Sequence, residues 1–277
     1  MPETPFRLAF YVLKNTPRVP NTLHDTQSSP DTRNLRIDKV GVKDLRYPIV
    51  VRDRAHATQN TVATIALAVD LPHQFKGTHM SRFLEVLQEH GSLIHVESIP
   101  AILQALQQRL QADSAHLELD FPYFIEKKAP VTGSPGLVDY QIHFDAALHG
   151  KDLRFKVAVT VPVTTLCPCS KAISERGAHN QRGLVRLEVT FGQTVWIEDL
   201  VSLVEACASS EIFSLLKRPD EKHVTEQAYD NPVFVEDLVR AVSLRCDAHP
   251  DIHWYRVEAE NFESIHNHSA YAMIERG

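Results

Sequence analysis

The fold is decided first by residues 153–161, which read Leu-Arg-Phe-Lys-Val-Ala-Val-Thr-Val. Apolar side chains occupy every second position of this stretch, and a period of two is typical of a strand with one buried face. The same alternation recurs at residues 63–69 and 185–191. Half-buried strands need a second layer to cover them, so we expect helices packed on a sheet.

Helical periodicity follows the strand pattern at residues 63–69. Residues 81–90 place apolar side chains on one side, and residues 99–110 carry them three and four positions apart. Ser98 is predicted to be the N-cap of the second helix, with Pro100 in its first turn. Strand patterns then return at residues 117–121 and 142–148.

The second half of the chain repeats this order after its own strands. Apolar stripes at residues 200–207 and 235–246 predict two helices, with Asn231 as the N-cap of the later one. Cys207 and Cys246 fall on these stripes, so both are predicted to be core residues. Strands close the chain from residue 253 to about residue 274.

The order strand, strand, helix, helix, strand, strand therefore occurs twice, which predicts an α+β fold of two ββααββ units with antiparallel sheets and helices on one face. Residues 1–34 contain five prolines and are predicted to form an extended arm. The units are assigned to residues 35–136 and 137–277. Each half-sheet has only about four strands with open edges, which favours a homo-oligomer.

Composition excludes several classes of protein. Among 277 residues, 29 Lys and Arg against 35 Asp and Glu give a net charge of −6, a poor basis for binding nucleic acid. No apolar run approaches the length of a membrane span, and the N-terminus lacks the pattern of a secretory signal. We therefore expect a cytoplasmic protein with no membrane or nucleic-acid partner. Four cysteines do not form a disulfide framework, but 15 histidines justify a search for a metal or acid/base site.

The densest candidate segment is residues 162–182, where the alternation is lost after a strand. Cys167 and Cys169 lie among basic residues, which lower the pKa of a thiol and favour the thiolate, a nucleophile and metal ligand. His179 follows twelve residues after Cys167. A metal or nucleophile role is favoured over an inert thiol pair or a redox couple.

Two further segments carry candidate ligands. Glu263, His266 and His268 lie close together near the C-terminus, and a carboxylate with two imidazoles suits acid/base chemistry or ligand binding. Residues 216–226 are predicted to be a charged loop between the helices, with Glu221 and His223 as possible ligands. A surface role is the alternative for both segments.

The residues before the first helix suggest an anion site. Lys76, His79 and Arg82 would cluster near the positive N-terminus of that helix, an arrangement that suits a phosphate. Thr78 or Ser81 is predicted to cap the helix, and capping alone explains these two residues equally well.

Together, five of these segments resemble the type IB GTP cyclohydrolase I family. They are residues 76–83, 162–170, 171–182, 218–221 and 263–268. The resemblance implies a bimodular tunnelling fold, assembled as a homotetramer with active sites between subunits. It also implies conversion of GTP and water to 7,8-dihydroneopterin triphosphate and formate, the entry to tetrahydrofolate synthesis.

The resemblance also assigns roles to individual residues. It implies metal ligands, a glutamate that anchors the substrate, acid/base groups and further substrate contacts. The metal ligands are Cys167, His179 and Glu221; the anchor is Glu263; the catalytic groups are Cys167, Glu236 and His266; the further substrate contacts are Lys76, His79, Arg82 and Lys171. Zinc fits a thiolate, an imidazole and a carboxylate best, although manganese or iron is also tolerated.

Two alternatives stay open. A related tunnelling-fold nitrile reductase of queuosine synthesis would use Cys167 or Cys169 as a nucleophile, with NADPH and no metal. A non-catalytic metal-binding protein would close the site with four ligands and leave GTP unchanged.

Overall fold

The computed structural model describes residues 25, 27, 29–91, 94–192 and 194–277. In its first half, long strands flank two helices, as the periodicity predicts. The elements are β1 Ile37–Asp53, β2 Ala57–Leu71, α1 Met80–Glu89, β3 Ile94–His95, α2 Ile99–Leu110, β4 Ser114–Lys128 and β5 Pro135–His149. Most of the arm predicted over residues 1–34 lies outside the described residues.

The second half again begins and ends with strand pairs, but it contains more helices than the apolar stripes predicted. The elements are β6 Asp152–Leu166, α3 Pro168–Ile173, β7 Asn180–Phe191, α4 Ile197–Glu205, β8 Ser210–Glu211, α5 Arg218–Asp230, α6 Val235–Asp247, β9 Ile252–Asn261 and β10 Ala270–Arg276. The short helix α3 and the longer α5 are the additions.

All ten strands of the described residues join one sheet. The order is β10-β9-β7-β6-β5-β4-β2-β1-β3, with β8 paired to β6 beside this path. Every pairing is antiparallel except that of β1 with the two-residue β3. Alternate strand residues such as Ile65 and Leu187 are fully buried together with helix residues such as Leu103 and Leu238. The predicted α+β fold, a mostly antiparallel sheet with helices on one face, is confirmed.

Within each half, the long strands lie side by side in chain order. The two halves meet where β5 pairs with β6 across the turn at residues 150–151. The predicted junction between residues 136 and 137 falls inside β5, which pairs with β4 along its whole length. No helix in the described ranges is long and apolar enough to cross a bilayer.

The prediction of a loop at residues 216–226 is wrong, because most of this stretch lies in helix α5. Only Asp220 and Ala228 of α5 are buried, so the helix shows almost no apolar stripe. Its stability comes from elsewhere: Pro219 suits the first turn, and the Asp220 carboxylate accepts a hydrogen bond from the Lys217 N–H at 2.9 Å.

Asn231 ends α5 instead of capping α6, so that prediction is also wrong. Its side-chain amide donates to the Ala208 carbonyl at 2.8 Å. Two residues later, the Val233 N–H donates to the Leu166 carbonyl at 3.0 Å. These contacts hold the chain away from helical geometry, and α6 begins only at Val235, after Phe234.

The caps of the first two helices differ in part from the prediction. Ser98 occupies the N-cap position of α2, although its hydroxyl makes no capping hydrogen bond. In α1 the N-cap residue is His79, and neither Thr78 nor Ser81 takes that place. Thr78 is buried in the preceding loop, where its carbonyl accepts a hydrogen bond from the Gln27 side chain at 2.9 Å.

Cys207 and Cys246 are core residues, as predicted. Both are buried among the apolar side chains of the second half. Burial raises the pKa of the Cys207 thiol and raises that of Cys246 to about 12. Since the thiolate is the reactive form, neither thiol is suited to chemistry near neutral pH.

Candidate active site

A cleft of about 270 Å³ lies where the ends of β6, β7 and β9 meet the start of α6. It brings together the two sequence segments predicted separately to carry chemistry, residues 162–182 and residues 263–268 near the C-terminus. The titratable lining residues are Cys167, His179, Glu236, Glu263, His266 and His268. The other lining residues are Gln181, Val233, Phe234, Val235, Asn261 and Ala270.

Cys167 and His179 are held side by side by the main chain. The Cys167 N–H donates to the His179 carbonyl at 3.1 Å, which continues the β6–β7 ladder one step beyond the strands. Ser170 ties the two segments together further: its hydroxyl donates to the Cys167 carbonyl at 3.1 Å and accepts from the His179 N–H at 3.2 Å. Pro168 then starts α3, with Cys167 as its N-cap residue.

The His179 ring faces two oxygen atoms with one of its nitrogens. Nδ1 lies 3.1 Å from Gln181 Oε1 and 3.8 Å from Glu263 Oε2. The side chains of His179 and Glu263 are only 15% and 12% exposed, so this contact is largely shielded from water. Glu263 and His179 are 84 positions apart, and the pairing of β7 with β9 brings them together.

His266 and His268 lie in the loop between β9 and β10 and not on a strand. Their rings stack at a centroid distance of 5.1 Å and an interplanar angle of 16°. Both residues are exposed on the cleft, which leaves their ring nitrogens accessible to a ligand. The Phe262 N–H donates to the Arg182 carbonyl at 2.9 Å and fixes the start of this loop.

Glu236 reaches the cleft because α6 begins there. It lies in the first turn of the helix, where a carboxylate interacts favourably with the helix dipole. The hydrogen bond from the Val233 N–H to the Leu166 carbonyl joins this entry segment to the residue before Cys167. The position of Glu236 is therefore coupled to that of the Cys167 segment.

Glu221 and Lys171 do not line this cleft. Glu221 lies on α5 in a separate polar groove with Arg218 and Glu226. The Lys171 ammonium donates to the Tyr229 carbonyl at the end of α5 and lies 4.3 Å from the centre of the Tyr229 ring. Lys171 thus links α3 to α5 within one chain.

Lys76, His79 and Arg82 also lie elsewhere, in the loop before α1 and its first turn. The His79 ring is 3.1 Å from the Asp25 carboxylate, and the Lys76 N–H donates to the Ser29 carbonyl at 3.1 Å. None of these three residues lines the cleft of its own chain.

The cleft offers donors for a metal ion but not a complete site in one chain. Within the residues described by the structure, no group of three or more His, Cys, Asp or Glu side chains is arranged to hold a metal ion. A thiol and an imidazole side by side are nevertheless the donor types that zinc prefers. The other titratable groups around them suit proton transfer and hydrogen bonding to a polar ligand.

Sequence reasoning missed two polar residues of the cleft, Gln181 and Asn261. Both are buried, and the Asn261 side-chain oxygen has no hydrogen-bond partner among the described residues. The available signal was local: Gln181 occupies a buried position in the alternation of β7, where Val185, Leu187 and Val189 are apolar. A polar residue at such a position indicates a neighbour with hydrogen-bonding needs.

Comparison with known proteins identifies the GTP cyclohydrolase family that the five sequence segments resemble. The family model described as type I GTP cyclohydrolase FolE2 matches residues 23–272. The GTP cyclohydrolase FolE2 of Akkermansia muciniphila is 61% identical over 257 residues, which cover 92% of this chain and 97% of that protein. The protein of the same name from Magnetococcus marinus is 60% identical over 255 residues, covering 92% and 96%.

Among solved structures, the chain resembles a urate oxidase from Bacillus sp. TB-90. The TM-score is 0.52 for a highly active mutant of that enzyme, the alignment covers 87% of this chain and 99% of that chain, and the sequence identity is 8%. At this identity the likeness shows a shared fold alone.

Proposed function

Since this chain belongs to the type I GTP cyclohydrolase FolE2 family, we propose that the cleft around Cys167, His179 and Glu263 is its active site. The protein is a GTP cyclohydrolase I: it converts GTP and water to 7,8-dihydroneopterin triphosphate and formate, in folate biosynthesis. The observation that carries this function is the match to FolE2 proteins over more than nine-tenths of the chain.

The same match decides between the function classes that the sequence left open. The family model and the relatives named above are GTP cyclohydrolases, and none is a nitrile reductase. A purely scaffolding protein would have no need for the acid/base groups that share the cleft with Cys167.

We propose that Cys167, His179 and Glu221 bind a divalent metal, with zinc favoured and manganese or iron as alternatives. Cys167 and His179 already lie together, and Glu221 would have to approach from α5 or from the α5 of another subunit. When bound, such an ion supplies Lewis acidity that lets water add to C8 of guanine near neutral pH. An open ligand position distinguishes this type of site from a structural one.

The remaining residues of the cleft handle the substrate and its protons. We propose that Glu263 accepts parallel hydrogen bonds from the N1–H and 2-amino groups of guanine, a pair of donors that adenine lacks. Glu236 and His266 are the proposed acid/base groups, because nitrogen atoms must be protonated as the C–N bonds break. Lys76, His79, Arg82 and Lys171 are the further proposed substrate contacts, of which the first three suit a phosphate.

Glu263→Gln tests this assignment. We expect wild-type protein reconstituted with metal to release formate and a pterin, fluorescent after oxidation, from GTP but not from ATP. In the variant, the amide presents a donor to the guanine donors, so KM for GTP should rise about 10-fold or more while metal content stays unchanged. Preserved GTP affinity with altered metal occupancy would instead assign Glu263 to the metal or to His179.

We also propose that the chain has a bimodular tunnelling fold and assembles as a homotetramer. In this assembly, two or more chains contribute residues to each active site. The sheet ends in β10 on one side and, on the other, in β1, which is covered only at Ile49 and Val50 by the two-residue β3. Phe234, which lines the cleft, is exposed, as are Phe262 and Ile265 in and beside the loop after β9. Lys76, His79 and Arg82, which lie away from the cleft of their own chain, would reach the cleft of a neighbour. The cytoplasmic location stays a prediction.

Light scattering tests the assembly. We expect a mass four times that of one chain at assay concentration, since the single sheet of each chain leaves open edges at its outer strands to cover. Cys167→Ala and Lys76→Ala chains, each inactive alone, should regain part of the activity when refolded together. An active monomer would contradict the proposal.

A further inference from the structure

The buried faces of β6 and β7 change from apolar to polar at the residue pair next to the cleft. On β6, Val161 and Val163 are fully buried and apolar, but Thr165 follows them on the same face. Opposite Thr165 in the antiparallel ladder lies Gln181. These two side chains are 0% and 8% exposed, and a buried polar pair is tolerated only when its hydrogen bonds are made.

Gln181 uses both ends of its side-chain amide. Its Nε2 donates to Thr165 Oγ1 at 3.0 Å, and its Oε1 lies 3.1 Å from Nδ1 of His179. Thr165, Gln181 and His179 thus form a chain of hydrogen bonds that runs from the core of the sheet to the cleft. The ring of His179 is oriented from its buried side.

The partners of Nδ1 decide which nitrogen of the His179 ring carries the proton. Gln181 Oε1 and Glu263 Oε2 both face Nδ1, and both are acceptors. If the Gln181 amide were reversed, its Nε2 would donate to Nδ1, and Nδ1 could then not carry a proton toward the Glu263 carboxylate. The carboxylate therefore favours the orientation in which Gln181 Oε1 faces Nδ1. Nδ1 is therefore the donor, and Nε2 keeps its lone pair with no hydrogen-bond partner in the described part of the chain.

We propose that Thr165 and Gln181 are positioning residues that hold His179 in the Nδ1–H form, so that Nε2 serves as the ligand atom. The inference rests on the proposed function in one respect, the assignment of His179 as a metal ligand. Histidines that bind metals commonly donate their other ring N–H to an oxygen acceptor, which fixes the ring and strengthens the ligand. Here the acceptor is a glutamine anchored on a buried threonine.

Substitutions at Gln181 and Thr165 test the proposal through metal affinity. Gln181→Leu removes the acceptor while keeping the size of the side chain, and we expect zinc affinity, measured by competition with a chromophoric chelator, to fall about 10- to 100-fold. Gln181→Glu restores an acceptor and should recover most of the affinity. Thr165→Val should weaken binding less, and Thr165→Ser should leave it near the wild-type value.

A second measurement needs no metal. In metal-free protein labelled with ¹⁵N-histidine, the ring nitrogen shifts of His179 report which nitrogen is protonated. We expect the Nδ1–H form in wild type and in Gln181→Glu, and a mixture of both forms in Gln181→Leu. An unchanged spectrum and unchanged zinc affinity in Gln181→Leu would overturn the proposal.

Gln59→Leu is the matched control. Gln59 on β2 also engages both ends of its amide, with the N–H and carbonyl of Phe124, but it lies in the first half of the chain and does not line the cleft. This variant should lose stability without losing zinc affinity. If His179→Ala leaves zinc affinity unchanged, the proposed metal site fails, whereas the ¹⁵N spectrum of Gln181→Leu still decides the positioning role.

Discussion

We expect the substitution Cys167→Ala to abolish both GTP turnover and zinc retention. The thiol is the softest donor of the cleft, and its removal leaves His179 as the neighbouring ligand on the same ladder. Loss of a residue that hydrogen-bonds to a metal ligand typically lowers metal affinity about 10- to 100-fold. Loss of a ligand itself should therefore lower it more than about 100-fold. Zinc content after dialysis and formate release from GTP are the measurements.

Cys207→Ala is the control for this experiment. It removes a thiol that is buried in the core and whose pKa is raised by burial, so we expect lower stability but unchanged zinc content. Circular dichroism should show that Cys167→Ala retains its fold. Full activity in Cys167→Ala, or in wild-type protein stripped by a chelator, would disprove the metal site.

Asp220→Ala is expected to cause the largest loss of stability among the variants considered. The side chain is fully buried and accepts four hydrogen bonds. Oδ1 accepts from the backbone N–H groups of Val131 and Thr132 at 2.9 and 2.8 Å, while Oδ2 accepts from the Thr132 hydroxyl at 2.7 Å and the Lys217 N–H at 2.9 Å. One carboxylate thus joins the β4–β5 turn to the start of α5.

Without this carboxylate, the backbone N–H groups of Val131, Thr132 and Lys217 lose their acceptor, and we expect the Tm to fall by about 5 to 10 °C. Asp152→Ala, at the exposed β5–β6 turn, should leave the Tm nearly unchanged. Zinc affinity of the Asp220 variant also reports on Glu221, which lies next along α5. An unchanged Tm would contradict the assignment of Asp220 as the link between turn and helix.

The pH dependence follows from the same contacts. Burial alone would raise the pKa of the Asp220 carboxyl, but hydrogen bonds from Thr132, Lys217 and Val131 together lower it far below its usual value. A carboxyl whose pKa is lowered by folding stabilises the protein above its unfolded pKa of about 3.9, and this contribution is lost as the pH falls toward the folded value. The Tm difference between wild type and Asp220→Ala should therefore narrow below about pH 4.

Part of the candidate site could be predicted from the sequence. Cys167, His179, Glu236, Glu263 and His266 were predicted from residue type, spacing and family resemblance, and the structure places all five on one cleft. Spacing along the chain could not show which residues meet. Glu221 and the basic residues near α1 lie elsewhere in the same chain, and their roles stay predictions.

Gln181 shows the limit of single-residue reasoning. Its function in the cleft depends on Thr165 across the ladder and on Glu263 from a distant loop. A glutamine in a strand has no distinctive chemistry until its neighbours are known. The register of β6 against β7 decides those neighbours, and a shift of one residue would turn Gln181 to the opposite face.

The sequence by itself determined the α+β layers, the long strands, the helices with apolar stripes and the burial of Cys207 and Cys246. These features follow from local periodicity, because burial against one layer imposes a period on the chain. Only the tertiary structure decided that polar α5 is a helix, since one buried carboxylate stabilises its start where an apolar stripe is absent. The meeting of His179 with Glu263 was likewise decided by strand order, because contacts between distant residues depend on pairing and leave no periodic signal in the chain.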